Sequence, residues 1–307
     1  MGIPRSAKAL DPRDILGAAA DEVKMVRSPI LSIAALLMMT VGCASVPTGT
    51  QERSLRVMSY NIEYGHEGLD SVITVIRDQH PDIVGLQEVD VHWSQRSNFV
   101  DQAALLAKGA GMEYRFARIY HIPDDDPSKP PREFGVAILS RYPITAFTNH
   151  EITRHSTQDS TAAPASQPGL LDATINVNGT RVRVFDVHLD YRKDPSVRTQ
   201  QVADMLRYIE PCTTPILLFG DMNAPPNAPE LRPLLQHLHD TWPSSNGPGA
   251  TYPARTPDSK IDYVMTSDGF RVRKASVPEV YASDHRPVVV DVELSDKFVA
   301  GLCKTTH

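Results

Sequence analysis

The chain has 307 residues, 41% hydrophobic and 22% charged, and its 31 basic and 37 acidic side chains leave a net charge of −6. That length supports one large core or two small ones, and the composition excludes a disordered chain, a coiled coil and a polytopic membrane protein. The acidic balance also argues against a broadly basic nucleic-acid coat.

The first segment to interpret is the uncharged apolar run from Ile30 to Gly42, ILSIAALLMMTVG. It is too short for a bilayer span, which takes about 20 residues, and has the length of a signal-peptide core. Arg27 stands before it, and Thr40, Val41, Gly42 and Cys43 close it as small residues ending in a cysteine, which resembles the lipobox of bacterial lipoproteins. On this reading residues 1–42 are a leader, Cys43 is the lipidated first residue of an exported protein held at the membrane, and residues 43–53 are a tether. Thr40 stands where such boxes usually carry Leu, and Asp11, Asp14, Asp21 and Glu22 precede the run, so a start at Met25 gives the more regular signal. A buried apolar helix is the plainer alternative. Removing residues 1–42 takes away five basic and four acidic residues, leaving 26 against 33, or −7. Export permits a disulfide between Cys212 and Cys303, and two free thiols fit equally well.

Eight β-rich apolar runs follow: Leu55 to Asn61, Ile83 to Glu88, Val136 to Ser140, Leu171 to Val177, Val182 to His188, Ile216 to Asp221, Ile261 to Thr266 and Val288 to Leu294. Several are continuous, which predicts strands covered on both faces. Helical spacing marks Leu69 to Gln79 (Val72, Val75, Ile76), Asp101 to Lys108 (Ala104, Leu105, Ala107) and Ser196 to Ile209 (Val202, Leu206, Ile209). The Asn-Gly pair at Asn178 and Gly179 predicts a hairpin. Proline-rich polar stretches at Pro123 to Glu133 and His155 to Gly169 read as loops on one domain spanning residues 54–296, with residues 297–307 as a tail.

Chemistry gathers where these strands end. Six endings deliver polar groups to a rim: Asn61 and Glu63; Glu88; His188 and Asp190; Asp221 and Asn223; Asp262; Asp284 and His285. Hard oxygen donors without cysteine suit Mg²⁺, Mn²⁺ or Ca²⁺ and point to metal-assisted hydrolysis. Singly each has a plain reading, Asp221 as a turn former or His188 as a structural hydrogen-bonding group. Arg96 and Arg141 could approach an anion, although a solvated or structural role is the simpler one.

The succession SYNIE, LQEVD, GDMN, KIDYV and SDHRP resembles the endonuclease/exonuclease/phosphatase superfamily over about Leu55 to Leu294. The resemblance implies an α/β (α+β) four-layer sandwich, two packed β-sheets flanked by helices, with a metal site at one rim. It implies Glu88 as the principal metal ligand with Asn61 and Glu63 beside it, and Asp284 completing the site. Asp221 would position or deprotonate the attacking water, Asn223 would fix it and touch the phosphate, Asp262 would orient His285, which is the competing choice of general base, and His188 would face the phosphate from the other side. A divalent cation with imidazole and amide donors suits the charge that develops in phosphoester attack.

The substrate expectation is a phosphorylated small molecule or lipid head group outside the cytoplasm, hydrolysed by a monomer. A surface-anchored nuclease is the second reading, because the domain has no basic run longer than Arg271 to Lys274. A catalytically silent binding lipoprotein is the third, disfavoured because every motif position carries a chemically competent residue.

Overall fold

Alternation along each strand sorts the side chains into three apolar layers, and those layers define the fold. In the computed structural model, residues 53–159, 161–210 and 213–295 are described. The leader, the lipidation candidate Cys43, Cys212, Cys303 and the 297–307 tail lie outside them. In chain order the elements are β1 (Arg53–Asn61), α1 (Leu69–Gln79), β2 (Ile83–Val91), α2 (Gln102–Ala110), β3 (Glu113–Ile122), β4 (Arg132–Ser140), β5 (Ile144–Arg154) and β6 (Ala165–Val177). They continue with β7 (Thr180–His188), α3 (Ser196–Ile209), β8 (Ile216–Asp221), α4 (Arg232–His237), β9 (His239–Asp240), β10 (Asp262–Thr266), β11 (Phe270–Ser276) and β12 (Val288–Leu294).

One six-stranded sheet runs β11-β12-β1-β2-β4-β3 and the other β5-β6-β7-β8-β10-β9. Leu55 and Val57 of β1, Val182 and Val184 of β7, and Leu217 and Phe219 of β8 meet in the core between the sheets. The intervening residues Met58 and Tyr60 turn outward onto α1 and α2, while Phe185, Val187 and Leu218 turn outward onto α3 and α4. The architecture is therefore the expected four-layer α/β sandwich. Gly85 lets the sheets approach, since a Cβ there would lie 2.5 Å from Phe219 Cβ.

The helices follow local rules. α1 buries Val72, Val75 and Ile76 as its spacing predicts. α2 is capped by the Asp101 carboxylate, which accepts from the Ala104 N–H, and ends at Gly111 in the left-handed region (φ 68°). Its buried stripe is Ala103, Leu106, Ala107 and Ala110, and Leu105 faces outward. The expected Ala104–Leu105–Ala107 face is thus corrected by the i, i+3, i+4, i+7 pattern that starts one residue earlier. The Asn178–Gly179 hairpin joins β6 to β7.

Several strands differ from expectation: β2 continues to Val91 past the expected end at Glu88, and β4 begins at Arg132, inside a stretch expected to be a loop. β3, β5 and β11 carry too many exposed polar residues to stand out as apolar runs, and β9 is two residues long. β6 begins at Ala165, inside the stretch expected to be a loop. Pro168 is tolerated there because it pairs with Glu151 beside a register shift, before pairing to β7 begins at Leu170.

Candidate active site

The inward face of each central strand changes from apolar to polar at the same end of the sandwich. On β1 the inward series is Leu55, Val57, Ser59 and Asn61; on β8 it is Leu217, Phe219 and Asp221. Register then aligns three adjacent strands, with His188 of β7 opposite Asp221 of β8 and Asp221 opposite Asp262 of β10. A single cross-strand row therefore presents an imidazole and two carboxylates.

The second sheet completes the cluster. Asn61 Nδ2 donates to Asp221 Oδ2 at 3.0 Å and to Glu88 Oε1 at 3.2 Å. Glu88 has φ 59° and sits where the β2–β4 register shifts between Leu86 and Val89. A bulge next to a site re-aims a side chain, and it accounts for Glu88 leaving the strict alternation. Glu63 and Asn223 also have positive φ, 45° and 48°. Three non-glycine residues held there at one rim mark a backbone strained around a functional site.

His285 enters from the loop before β12. Its Nδ1 bonds Asp262 Oδ2 at 2.8 Å, and its Nε2 lies 3.8 Å from Asp221 Oδ2 and 3.9 Å from Asp284 Oδ1. His188 Nε2 approaches Asp221 Oδ2 at 3.6 Å from the other side. The Asn223 N–H donates to Asp221 Oδ1 at 2.9 Å, and its amide nitrogen donates to the Leu189 carbonyl at 3.0 Å. All nine expected catalytic and metal residues, Asn61, Glu63, Glu88, His188, Asp221, Asn223, Asp262, Asp284 and His285, thus gather at one rim.

Burial and charge set the protonation states. Burial would lower the His285 imidazole, but the charge and hydrogen bond of Asp262, with Asp221 and Asp284, outweigh it and carry its pKa up to about 10. Burial raises the Asp221 carboxyl, Asp262 adds to that, and the two histidines oppose it. Glu63 is pushed up by burial, then by Asp284; Asp284 is pushed up by burial, with Glu88 adding to it and His285 opposing it. Among the described residues no lysine or arginine forms an ion pair with Glu63, Glu88 or Asp284.

Two groups could hold a metal ion. Asn61, Glu63, Glu88 and Asp284 offer hard oxygens that no lysine or arginine neutralises among the described residues, with His285 Nε2 3.9 Å from Asp284, and such a set suits a divalent ion. Asp221, Asp262 and His285 also place one donor atom each within 4.8 Å of the others. In that second group His285 Nδ1 and Asp262 Oδ2 are already bonded to one another at 2.8 Å. The carboxylate-and-amide group is therefore the better fit, with Asp221 between the two.

Several contributors carried no sequence signal. Thr251 Oγ1 donates to Asp262 Oδ2, and the Tyr252 ring lies 4.8 Å from the His285 ring. Ser283 Oγ donates to the Asn61 carbonyl at 2.8 Å, tying the His285 loop to β1. Beneath the rim, Gln87 Nε2 donates to Asp186 Oδ1 at 2.6 Å across the sheets. Of the two arginines, Arg141 is structural, donating to the Pro81 carbonyl, and Arg96 pairs with Asp90 at 2.9 and 2.8 Å. Asp190 pairs with Arg192 and shapes the following turn.

Two packed mixed sheets flanked by helices, with a carboxylate–imidazole cluster at one rim, define the class of four-layer α/β sandwiches with a polar site at one end. Residues 58–285 match the model of the Endonuclease/Exonuclease/phosphatase family, and the chain belongs to that family of phosphoester hydrolases, which are generally dependent on a divalent metal. It is 25% identical over 276 residues to the protein YbhP of Escherichia coli, covering 81% of this chain and all of that one. Among solved structures, an endonuclease/exonuclease/phosphatase from Beutenbergia cavernae superposes with a TM-score of 0.62 at 24% identity, over 79% of this chain and 72% of that one. A mannosyl-6-phosphatase from Bacteroides thetaiotaomicron superposes with a TM-score of 0.57 at 18% identity, over 78% and 99%. These superpositions show the shared fold.

Proposed function

We propose that the chain is a divalent-metal-dependent hydrolase of an extracytoplasmic organic phosphate, with water attacking phosphorus in line with the leaving oxygen. The row His188–Asp221–Asp262, closed by His285 and bridged to Glu88 through Asn61, carries this reading. Asn61, Glu63, Glu88 and Asp284 would hold the ion, of which Mg²⁺ and Mn²⁺ are the first candidates and Ca²⁺ the third. Lewis-acid polarisation of the phosphoryl oxygens and neutralisation of developing charge are what a bound divalent ion supplies there.

The chain's own residues do the rest. The Asp221 carboxylate, fixed by the Asn61 amide and the Asn223 N–H, orients the attacking water and accepts its proton. His285, held protonated and oriented by Asp262, donates through Nε2 to a phosphoryl oxygen, and His188 does so from the opposite side. The apolar run before Cys43 supports export and anchoring of the protein through that residue on the extracytoplasmic face.

The test is a panel of Mg²⁺, Mn²⁺ and Ca²⁺ with bis-p-nitrophenyl phosphate, plasmid DNA and phospholipid vesicles. Turnover of the small diester with weak or no DNA nicking is expected. DNA nicking alone would reverse the preference for a small substrate over nucleic acid, and no turnover of any substrate would overturn the hydrolase reading.

A further inference from the structure

A cavity of about 390 Å³ opens directly from the site, with Glu88 and His188 in its wall. Whatever occupies it lies within reach of a phosphoryl group at the rim, on the side away from His285. None of the residues given a chemical role above explains its shape.

One side is aromatic. Trp93, Tyr120 and Phe134 line it, with ring centroids 5.9 to 6.2 Å apart. Trp93 is tilted 35° and 50° to its neighbours, so the wall curves and offers no flat slot. His155, Thr157 and Gln158 of the 155–158 turn and Tyr191 also line the cavity, and the turn is fixed in place. Thr157 donates to Tyr120 Oη through both N–H and Oγ1 at 2.9 Å, and Arg192 donates to the His155 and Ser156 carbonyls.

Arg154 also lines this cavity, and it is buried. Its guanidinium donates to the carbonyls of Pro168, His188 and Gly169, and among the described residues it has no carboxylate partner. Three of five N–H donors are thereby committed and two remain. Gly169 makes room for it, since a Cβ there would meet Arg154 Nη2 at 2.4 Å. A buried cation whose nearby carboxylate, Asp190, is already bonded to Arg192 is costly unless lone pairs surround it. An occupant bearing several oxygens supplies them.

We propose that this cavity is the leaving-group subsite, and that it takes the polyhydroxylated ring of a hexose phosphate. The C–H face of the ring lies on Trp93 and its neighbours, while the hydroxyls meet Arg154 and the 155–158 turn. A nucleobase would instead stack face to face on one ring, with Tyr191 or His155, which also line the cavity, as a second partner, and the nucleotide arm of the experiment separates that occupant from a hexose. The assignment rests on the hydrolase reading above.

The experiment compares kcat/KM of the full chain for a hexose 6-phosphate, methyl phosphate and adenosine 5′-monophosphate, with bis-p-nitrophenyl phosphate as the general substrate. The hexose ester is expected to exceed methyl phosphate by tenfold or more, and Trp93→Ala to shrink that ratio toward one while Trp93→Phe preserves most of it. Turnover of bis-p-nitrophenyl phosphate without a hexose preference overturns the subsite alone, as does a preference for the nucleotide. No turnover of any ester overturns the hydrolase reading itself. Because the chain has two tryptophans, Trp242→Phe leaves Trp93 as the sole indole. Saturable change of its fluorescence with free hexose supports the subsite independently of turnover and of whether Trp93→Ala folds, and an unchanged signal contradicts it.

Discussion

Asn61 and Asp221 belong to different sheets, and the 3.0 Å bond from Asn61 Nδ2 to Asp221 Oδ2 joins those sheets at the reacting end of the sandwich. The same amide reaches Glu88, so one side chain links the metal-binding carboxylates to the carboxylate assigned to water. Asn61→Ala should lower kcat about 10²- to 10³-fold, in the range of losing one preorganised donor. Asn61→Asp should lower it further at equal metal concentration, because it places a third negative charge between Glu88 and Asp221. Steady-state kinetics with a urea midpoint for each variant separates these losses from unfolding.

Asp262 holds the His285 pKa up to about 10, and a raised histidine is a stability statement. The contribution is fully present below the ordinary histidine value near 6.5 and is lost as pH rises through about 10. In EDTA, the parent's melting temperature should therefore fall across that window, and Asp262→Asn should flatten the fall. Thermal denaturation from pH 6 to 10.5 checks it, an unchanged slope being the contrary result.

Asp186 has the opposite chemistry and a different window. Burial holds its carboxyl well above the ordinary range, against the opposing hydrogen bonds from Gln87 and from the Leu86 and Val187 N–H groups. Oδ2 of Asp186 and Oε1 of Gln87 are both buried without a hydrogen-bond partner. A raised acid contributes stability below its unfolded value that is lost as pH rises toward its folded value. Asp186→Asn should therefore be little different from the parent near pH 4 and increasingly the more stable of the two above it, as read by urea midpoints against pH.

Gly85 packs directly against Phe219 of the other sheet, where an added Cβ would lie 2.5 Å from the Phe219 Cβ. Gly85→Ala should destabilise by about 1–3 kcal/mol through overpacking, despite alanine's better strand propensity. Equilibrium urea unfolding measures it, and an unchanged or higher midpoint would mean that the sheets can separate freely there.

Much of this was legible in the sequence because strand termini carry their polar residues at the end of apolar runs. Asn61, His188, Asp221 and Asp262 are each announced that way, and alternation with register brings them together, while Glu88 lies inside β2 and is aimed at the rim by the bulge. What was not legible has physical reasons. β3 and β5 bury few residues, so their patterns resemble loops. Thr251, Tyr252 and Ser283 act through loop conformation, which leaves no periodic trace. Gln87 and Asp186 look like isolated polar interruptions until the two sheets face each other. The aromatic cavity wall joins residues from β3, β4 and the loop after β2, which only the fold brings together.

The central claim is that the rim cluster hydrolyses phosphate esters with a divalent ion held at Glu88 and with His285 as donor. Its most direct test is the initial rate of bis-p-nitrophenyl phosphate hydrolysis by chain stripped with EDTA and then resupplied with Mg²⁺ or Mn²⁺, alongside Glu88→Ala and His285→Ala. The account predicts activity restored by metal in the parent and reduced about 10²-fold or more in both variants. Near-parental rates in both variants, or full activity in EDTA, would contradict it.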